Sequence, residues 1–114
     1  GNTDDHARNH AAFWNGEELS LTPAYDICPQ GRAGNEASQA MLISGNNNLS
    51  QLKTCLETAH TFLLSKQDAH EIFKKQIETI KNNWDEVCDE AQLSLIDRKL
   101  FWTRQFLNPY SIEQ

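Results

Sequence analysis

Apolar spacing divides the chain near Asn48. Beyond that point, apolar residues recur at three- and four-residue intervals almost to the end, as they do along helices with one buried face. Three helices are predicted. The first carries Leu49, Leu52, Cys55, Leu56, Ala59 and Leu63. The second carries Ile72, Phe73, Gln76, Ile77, Ile80, Trp84, Val87 and Cys88, and the third Ile96, Leu100, Phe101 and Leu107. Ser65 stands three residues before Asp68, and Ser94 three before Asp97. Each pair resembles a capping box with Asp in place of the usual Glu, so each marks a helix start. Pro109 has no backbone N–H to give and is predicted to stop the third helix. The three stripes are read as helical core.

Before Asn48 the pattern is short-range and rich in Gly, Asn and Pro. Ala11 to Trp14 reads as a short strand and Glu18 to Thr22 as its return. Asn15-Gly16 lies between them, a dipeptide suited to a tight hairpin turn with positive φ at both central residues. The stretch TPAYDICPQGRAGNEASQ then reads as loop. Ala40 to Ile43 fits a helical turn or a short strand equally well. The expected fold is mainly α, with a small β-hairpin near the N-terminus. The 114 residues are expected to form one domain, in which 1–47 holds the loops and hairpin and 48–114 a helical bundle.

Composition narrows the classes. Hydrophobic residues make up 39%, with three Trp and five Phe, enough for a core. The formal net charge of -6 argues against a large nucleic-acid footprint, which needs clustered Lys and Arg. Cys28, Cys55 and Cys88 are widely spaced and odd in number, with no metal-ligand spacing, and are read as reduced thiols. No apolar run is long enough for a membrane helix and no signal-peptide pattern opens the chain, so a cytoplasmic location is expected.

Chemistry-bearing residues cluster before Asp26, and three readings compete for them. One is a helix N-terminus, capped by Thr3 or Asp4, with Asn9 and His10 solvated. A second is a metal-dependent hydrolase using Asp4, His6 and Asp26, although consecutive Asp4, Asp5 and His6 cannot all point one way. His60 and His70 lack acidic partners in any motif and read as ordinary surface or core histidines. The third is phosphoryl transfer. Asp4-Asp5-His6-Ala7-Arg8-Asn9 has the D-x-x-x-x-N spacing in which the Asp takes the substrate hydroxyl proton and the Asn binds Mg²⁺. After the hairpin, Asp26 stands where a second Asp would hold Mg²⁺ against the phosphates.

GNTDDHARN followed by LTPAYDI resembles the C-terminal part of HipA-type serine/threonine protein kinases, the toxin components of bacterial toxin–antitoxin pairs. Their motifs read roughly G-x-x-D-x-H-x-K-N and, after a hairpin, L-x-P-x-Y-D. The resemblance implies a kinase C-lobe-like helical subdomain that works with ATP and Mg²⁺. It makes Asp4 the catalytic acid, Asn9 and Asp26 the Mg²⁺ ligands, and His6 a catalytic-loop residue near the transferred phosphate. Arg8 replaces the family's usual Lys, and its donor geometry differs, so the same contact is not assigned to it.

The resemblance further implies a protein substrate, with aminoacyl-tRNA synthetases as a known class. It also implies a HipB-like helix-turn-helix antitoxin, through which any DNA contact would be made, and no membrane partner. No Gly-rich phosphate loop, paired Lys or adenine-side hinge stands in these residues. The chain is therefore expected to be a piece of a longer kinase whose N-terminal nucleotide-binding lobe lies elsewhere, and to be inactive alone. The remaining expectations are a helical interaction module, with the Ile72 to Cys88 stripe as the binding face, or a degenerate kinase lobe.

Overall fold

The hairpin forms where expected but turns differently. In the computed structural model, which describes residues 1–113, β1 (Ala12–Trp14) pairs antiparallel with β2 (Leu19–Leu21), with Trp14 opposite Leu19. The loop therefore holds residues 15–18, and only Gly16 takes a positive φ, of 99°. Asn15 acts through its side chain instead. Its Oδ1 accepts from the N–H groups of Glu17 and Glu18, each at 2.9 Å, a local bond that substitutes for the tighter two-residue turn.

The first predicted helix is broken in two. α1 (Leu52–Glu57) ends at Thr58, and a 3₁₀ turn, Ala59–Phe62, follows. The hydroxyls of Thr58 and Thr61 lie 3.3 Å apart, and β-branched threonines favour such local bonds over the helical ladder. Leu49 leaves the helix altogether and pairs with Ser38 in an isolated bridge. Ala40 to Ile43 forms neither helix nor strand and lies between that bridge and another joining Ser44 to Asn47.

α2 (Lys66–Glu90) is the longest element and starts as the capping signal requires. Ser65 Oγ accepts from the Asp68 N–H, and Asp68 Oδ2 accepts from the Ser65 N–H. The Ser65 hydroxyl and N–H hold the Asp68 carboxyl below its ordinary value. A depressed carboxyl adds stability above its unfolded value and loses it as pH falls, so this cap weakens in acid. α3 (Leu95–Phe101) likewise starts at Ser94 and Asp97. It ends at Phe101, well before Pro109. Pro109 opens α4 (Pro109–Ile112), where a missing N–H is tolerated, and Asn108 Oδ1 caps Tyr110 N–H at 3.0 Å. Leu107, placed on the third helix by spacing, lies outside it with φ of 50°.

The core is small. Ala59, Ala69 and Phe73 are buried, with Leu52, Cys55, Leu56 and Leu64 packed against them where α1 and the 3₁₀ turn meet α2. Burial pushes the Cys55 thiol up, so it stays protonated and behaves as a small apolar residue. Cys88 is fully buried and Cys28 exposed. A second packing point joins Trp84 to Trp102 and Phe106, with ring centroids 5.0 and 4.8 Å apart.

The expectation that all three stripes are core does not hold. Ile72, Ile80 and Val87 are exposed on α2, as are Ile96, 80% accessible, and Leu100 on α3. α2 packs against α1 and the 3₁₀ turn near its start and against Trp102 and Phe106 through Trp84, which leaves much of its apolar surface open among the described residues. The radius of gyration, 15.8 Å, exceeds the roughly 13 Å of a compact domain of this size.

Two stability measurements check this core. Phe73→Ala is expected to destabilise the chain by about 3 kcal/mol, with Ile80→Ala below about 1, by chemical denaturation. Thr54 is fully buried and its hydroxyl has no hydrogen-bond partner. Thr54→Val keeps its shape and removes the unsatisfied group, so a gain of about 1 kcal/mol is expected in the same measurement.

Candidate functional site

Residues 6 to 9 make one turn of 3₁₀ helix, and that turn places the site. Asn9 N–H donates to His6 C=O at 2.9 Å, and Asn9 Oδ1 accepts from His6 N–H at 3.0 Å. The Asn9 side chain is thus held at both ends of a closed loop, and the residue is only 8% exposed. Its remaining amide points away from the turn and donates to Asp26 Oδ2 at 3.0 Å, across 17 residues. The hairpin between them makes this possible. β1 and β2 carry the chain out and back, and Thr22 N–H donates to Ala11 C=O at the base of the hairpin.

Asp26 adopts φ of 55°, the left-handed region that most side chains avoid. Its neighbour Tyr25 fixes the approach, since the Tyr25 hydroxyl donates to the Arg8 carbonyl at 2.8 Å. Residues 25 and 26 therefore reach residues 8 and 9 by two separate bonds. Arg8 takes part through its backbone, and its side chain is exposed. A strained acid held by a buried amide is the kind of local conflict that clusters at functional positions.

The other sequence-derived residues are placed less tightly. Asp4 is exposed, its N–H donates to Asn2 Oδ1 at 3.1 Å, and its carboxylate makes no hydrogen bond among the described residues. His6 is half-buried, with Nδ1 enclosed and unpartnered. Thr3 and Asp4 cap no helix: the Thr3 hydroxyl and N–H both donate to Gln30 Oε1 instead. The hydrolase reading gains no support, since no three His, Cys, Asp or Glu side chains among the described residues come together as metal ligands. His60 is exposed, and His70 packs edge-on to Phe73.

Two features escaped the sequence reading. Asp5 Oδ1 lies 2.7 Å from His10 Nε2, a half-exposed pair on the same loop. Both line a cleft of about 370 Å³ with Asn9, Thr22 and Tyr25, whereas Asp4, His6 and Asp26 do not. The alternating acid and histidine at positions 5 and 10 carries no motif, so only the loop geometry brings them together.

A family model described as a HipA-like C-terminal domain matches residues 1–84, from the site loop through most of α2. Comparison with curated proteins and with solved structures returns no match.

The roles of Asn9 and Asp26 in stability separate cleanly. Asn9→Ala leaves the His6 N–H unsatisfied and is expected to destabilise the chain by about 2 kcal/mol. Asp26→Gly loses one part-buried bond but relieves the left-handed backbone, so its stability should stay within about 1 kcal/mol of wild type. Thermal unfolding of both variants checks the contrast.

Proposed function

Because the chain belongs to the HipA-like C-terminal domain family, we propose that it is the C-terminal portion of a serine/threonine protein kinase toxin. That kinase transfers the γ-phosphate of ATP to a protein hydroxyl. The observation that carries this reading is the 3.0 Å contact between Asn9 and Asp26, two residues the kinase motifs require at one ion.

The donor set fits Mg²⁺. Asp26 and Asn9 both carry hard oxygen donors: Asp26 presents a carboxylate, and the Asn9 carboxamide oxygen, which here accepts from His6 N–H, would turn from it to meet an ion held by Asp26. Mg²⁺ commonly takes only one or two protein carboxylates and completes its shell with phosphates and water. Asn9 and Asp26 would hold it, and bound Mg²⁺ supplies neutralisation of charge on the β- and γ-phosphates. Asp4, exposed and with a carboxylate that makes no hydrogen bond among the described residues, receives the proton of the substrate hydroxyl and orients its oxygen. His6, two residues on, would serve near the transferred phosphate, the role the family motif gives it. Asn9 also closes the loop through His6 N–H, which ties the His6 backbone to Asp26 through one side chain. The work is positioning and electrostatics, with no covalent intermediate on the protein.

In this reading a nucleotide-binding lobe supplied by the rest of the parent protein completes the ATP site, and these residues alone are inactive. The fold is the helical part of a kinase C-lobe, with residues 1–47 carrying the chemistry and 48–114 supporting it. A helix-turn-helix antitoxin inhibits the kinase and makes any DNA contact, as suits a chain of net charge -6. The substrate is a cytoplasmic protein, with aminoacyl-tRNA synthetases the leading class, and the outcome is growth arrest. No helix among the described residues is long and apolar enough to cross a membrane.

A second reading, a helical interaction module, draws on Val87, Leu95, Ile96 and Leu100, all exposed on α2 and α3. Size-exclusion mass discriminates: self-association or capture of a defined partner favours it, and a monomer at all concentrations weakens it.

The kinase reading is tested on the longest natural reading frame that contains these residues. With γ-labelled ATP and Mg²⁺, wild type should incorporate label. Asp4→Asn and Asp26→Asn should each lose it by roughly 100-fold or more. Equal label in all three proteins, or none from a well-folded parent, would overturn the reading.

A further inference from the structure

Arg32 lies in the loop after Asp26, yet its side chain is not solvated like an ordinary loop arginine. It is half-buried, and it reaches across 79 residues to α4, where Nη1 donates to Ser111 Oγ at 3.5 Å. Nη2 donates to the Asn35 carbonyl, and Nε is enclosed with no partner. Every acceptor it has is neutral. The ion pairs among the described residues are Asp5 with His10 and Asp89 with Arg98, so no carboxylate answers the Arg32 charge.

A guanidinium stays protonated at any physiological pH, and a half-buried one without a counter-charge is electrostatically unfavourable. The surroundings add to the imbalance. Arg104 Nη2 donates to the Arg32 carbonyl at 3.2 Å, which anchors a second arginine beside the first. In a chain whose acids outnumber its cations by 16 to 10, two arginines without acids at one place form a local exception.

Beside Arg32 lies a pocket of about 210 Å³ whose wall includes Ser50, Gln51 and Ser111. Ser50 Oγ accepts from Gln39 Nε2 at 2.9 Å, and Ser111 Oγ accepts from Arg32, so both hydroxyl protons remain free to donate. The charged Arg32 fork and the two hydroxyl donors line it from separate chain segments. A tetrahedral oxyanion has oxygens for all three, whereas a carboxylate is satisfied by the fork alone.

We propose that Arg32, Ser111 and Ser50 form a binding site for a phosphate group, either free in solution or carried as an ester on Ser111 itself. Occupancy would lock the loop that follows Asp26 to α4. The site stands on this charge and geometry and does not depend on the kinase reading.

Inorganic phosphate titrated calorimetrically into the full chain, against chloride at matched ionic strength, tests the free ion. Saturable binding is expected, weakened roughly tenfold or more by Arg32→Gln. Arg32→Lys keeps the charge without the fork and should fall between the two, which keeps the test readable should Arg32→Gln not fold. A chain with phosphoserine installed at position 111 tests the ester. It should melt higher than the unmodified chain and bind no free phosphate. A higher Tm there without free-phosphate binding to the unmodified chain assigns the site to the ester. Free-phosphate binding with a lowered Tm for the phosphoserine chain assigns it to the ion. Binding undiminished in Arg32→Gln, or no phosphate binding together with a lowered Tm for the phosphoserine chain, overturns the proposal.

Discussion

The candidate site depends on one buried carboxamide. Asn9 accepts from His6 N–H on one side and donates to Asp26 on the other, so a single side chain closes a loop and links it to a second segment. A carboxylate there would repel Asp26, and an aliphatic residue would leave an unmet donor on His6. The hairpin brings the two segments within reach, and Tyr25 on Arg8 adds a parallel tie. Asp26 keeps its left-handed backbone because these ties hold it there.

The helical part packs around α2. α1 and the 3₁₀ turn after it pack on the first half of α2, and the aromatic rings of Trp84, Trp102 and Phe106 gather at its second half. Between and beyond these points the apolar faces stay open. Leu63 shows the same openness in miniature: it holds a left-handed φ of 59° and is 95% exposed, so neither its backbone preference nor burial of its side chain explains it. A surface of this kind suits a part that works against other protein, and the family match, which ends at Trp84, leaves α3 and α4 outside the matched residues.

Much of this was legible in the sequence because the strongest signals were local. Ser65 and Ser94 began helices where their acids three residues on said they would, and the hairpin arose at Asn15-Gly16. Errors came where a side chain competed with the backbone or where burial was assumed. Asn15 made its own turn, Thr58 interrupted the first helix, and Pro109 began a helix rather than ending one. Periodicity identified the apolar faces of α2 and α3 but could not say whether anything lies against them. At the site, the spacing singled out Asn9 and Asp26, and the structure brings them together. It could not reveal the Asp5–His10 pair or the reach of Arg32 to Ser111, since both depend on how distant or unpatterned segments fold back.

The three cysteines end up graded by access: Cys28 on the surface, Cys55 half-covered with its thiol pushed up, and Cys88 sealed. A thiol-reactive dye added to the folded chain would therefore mark one position selectively, because the thiolate is the reacting form and must be reachable. That position lies two residues from Asp26, so a fluorophore attached there would sit close to the acid that Asn9 holds. The native sequence thus carries its own spectroscopic reporter for the segment that matters, with no engineered cysteine needed.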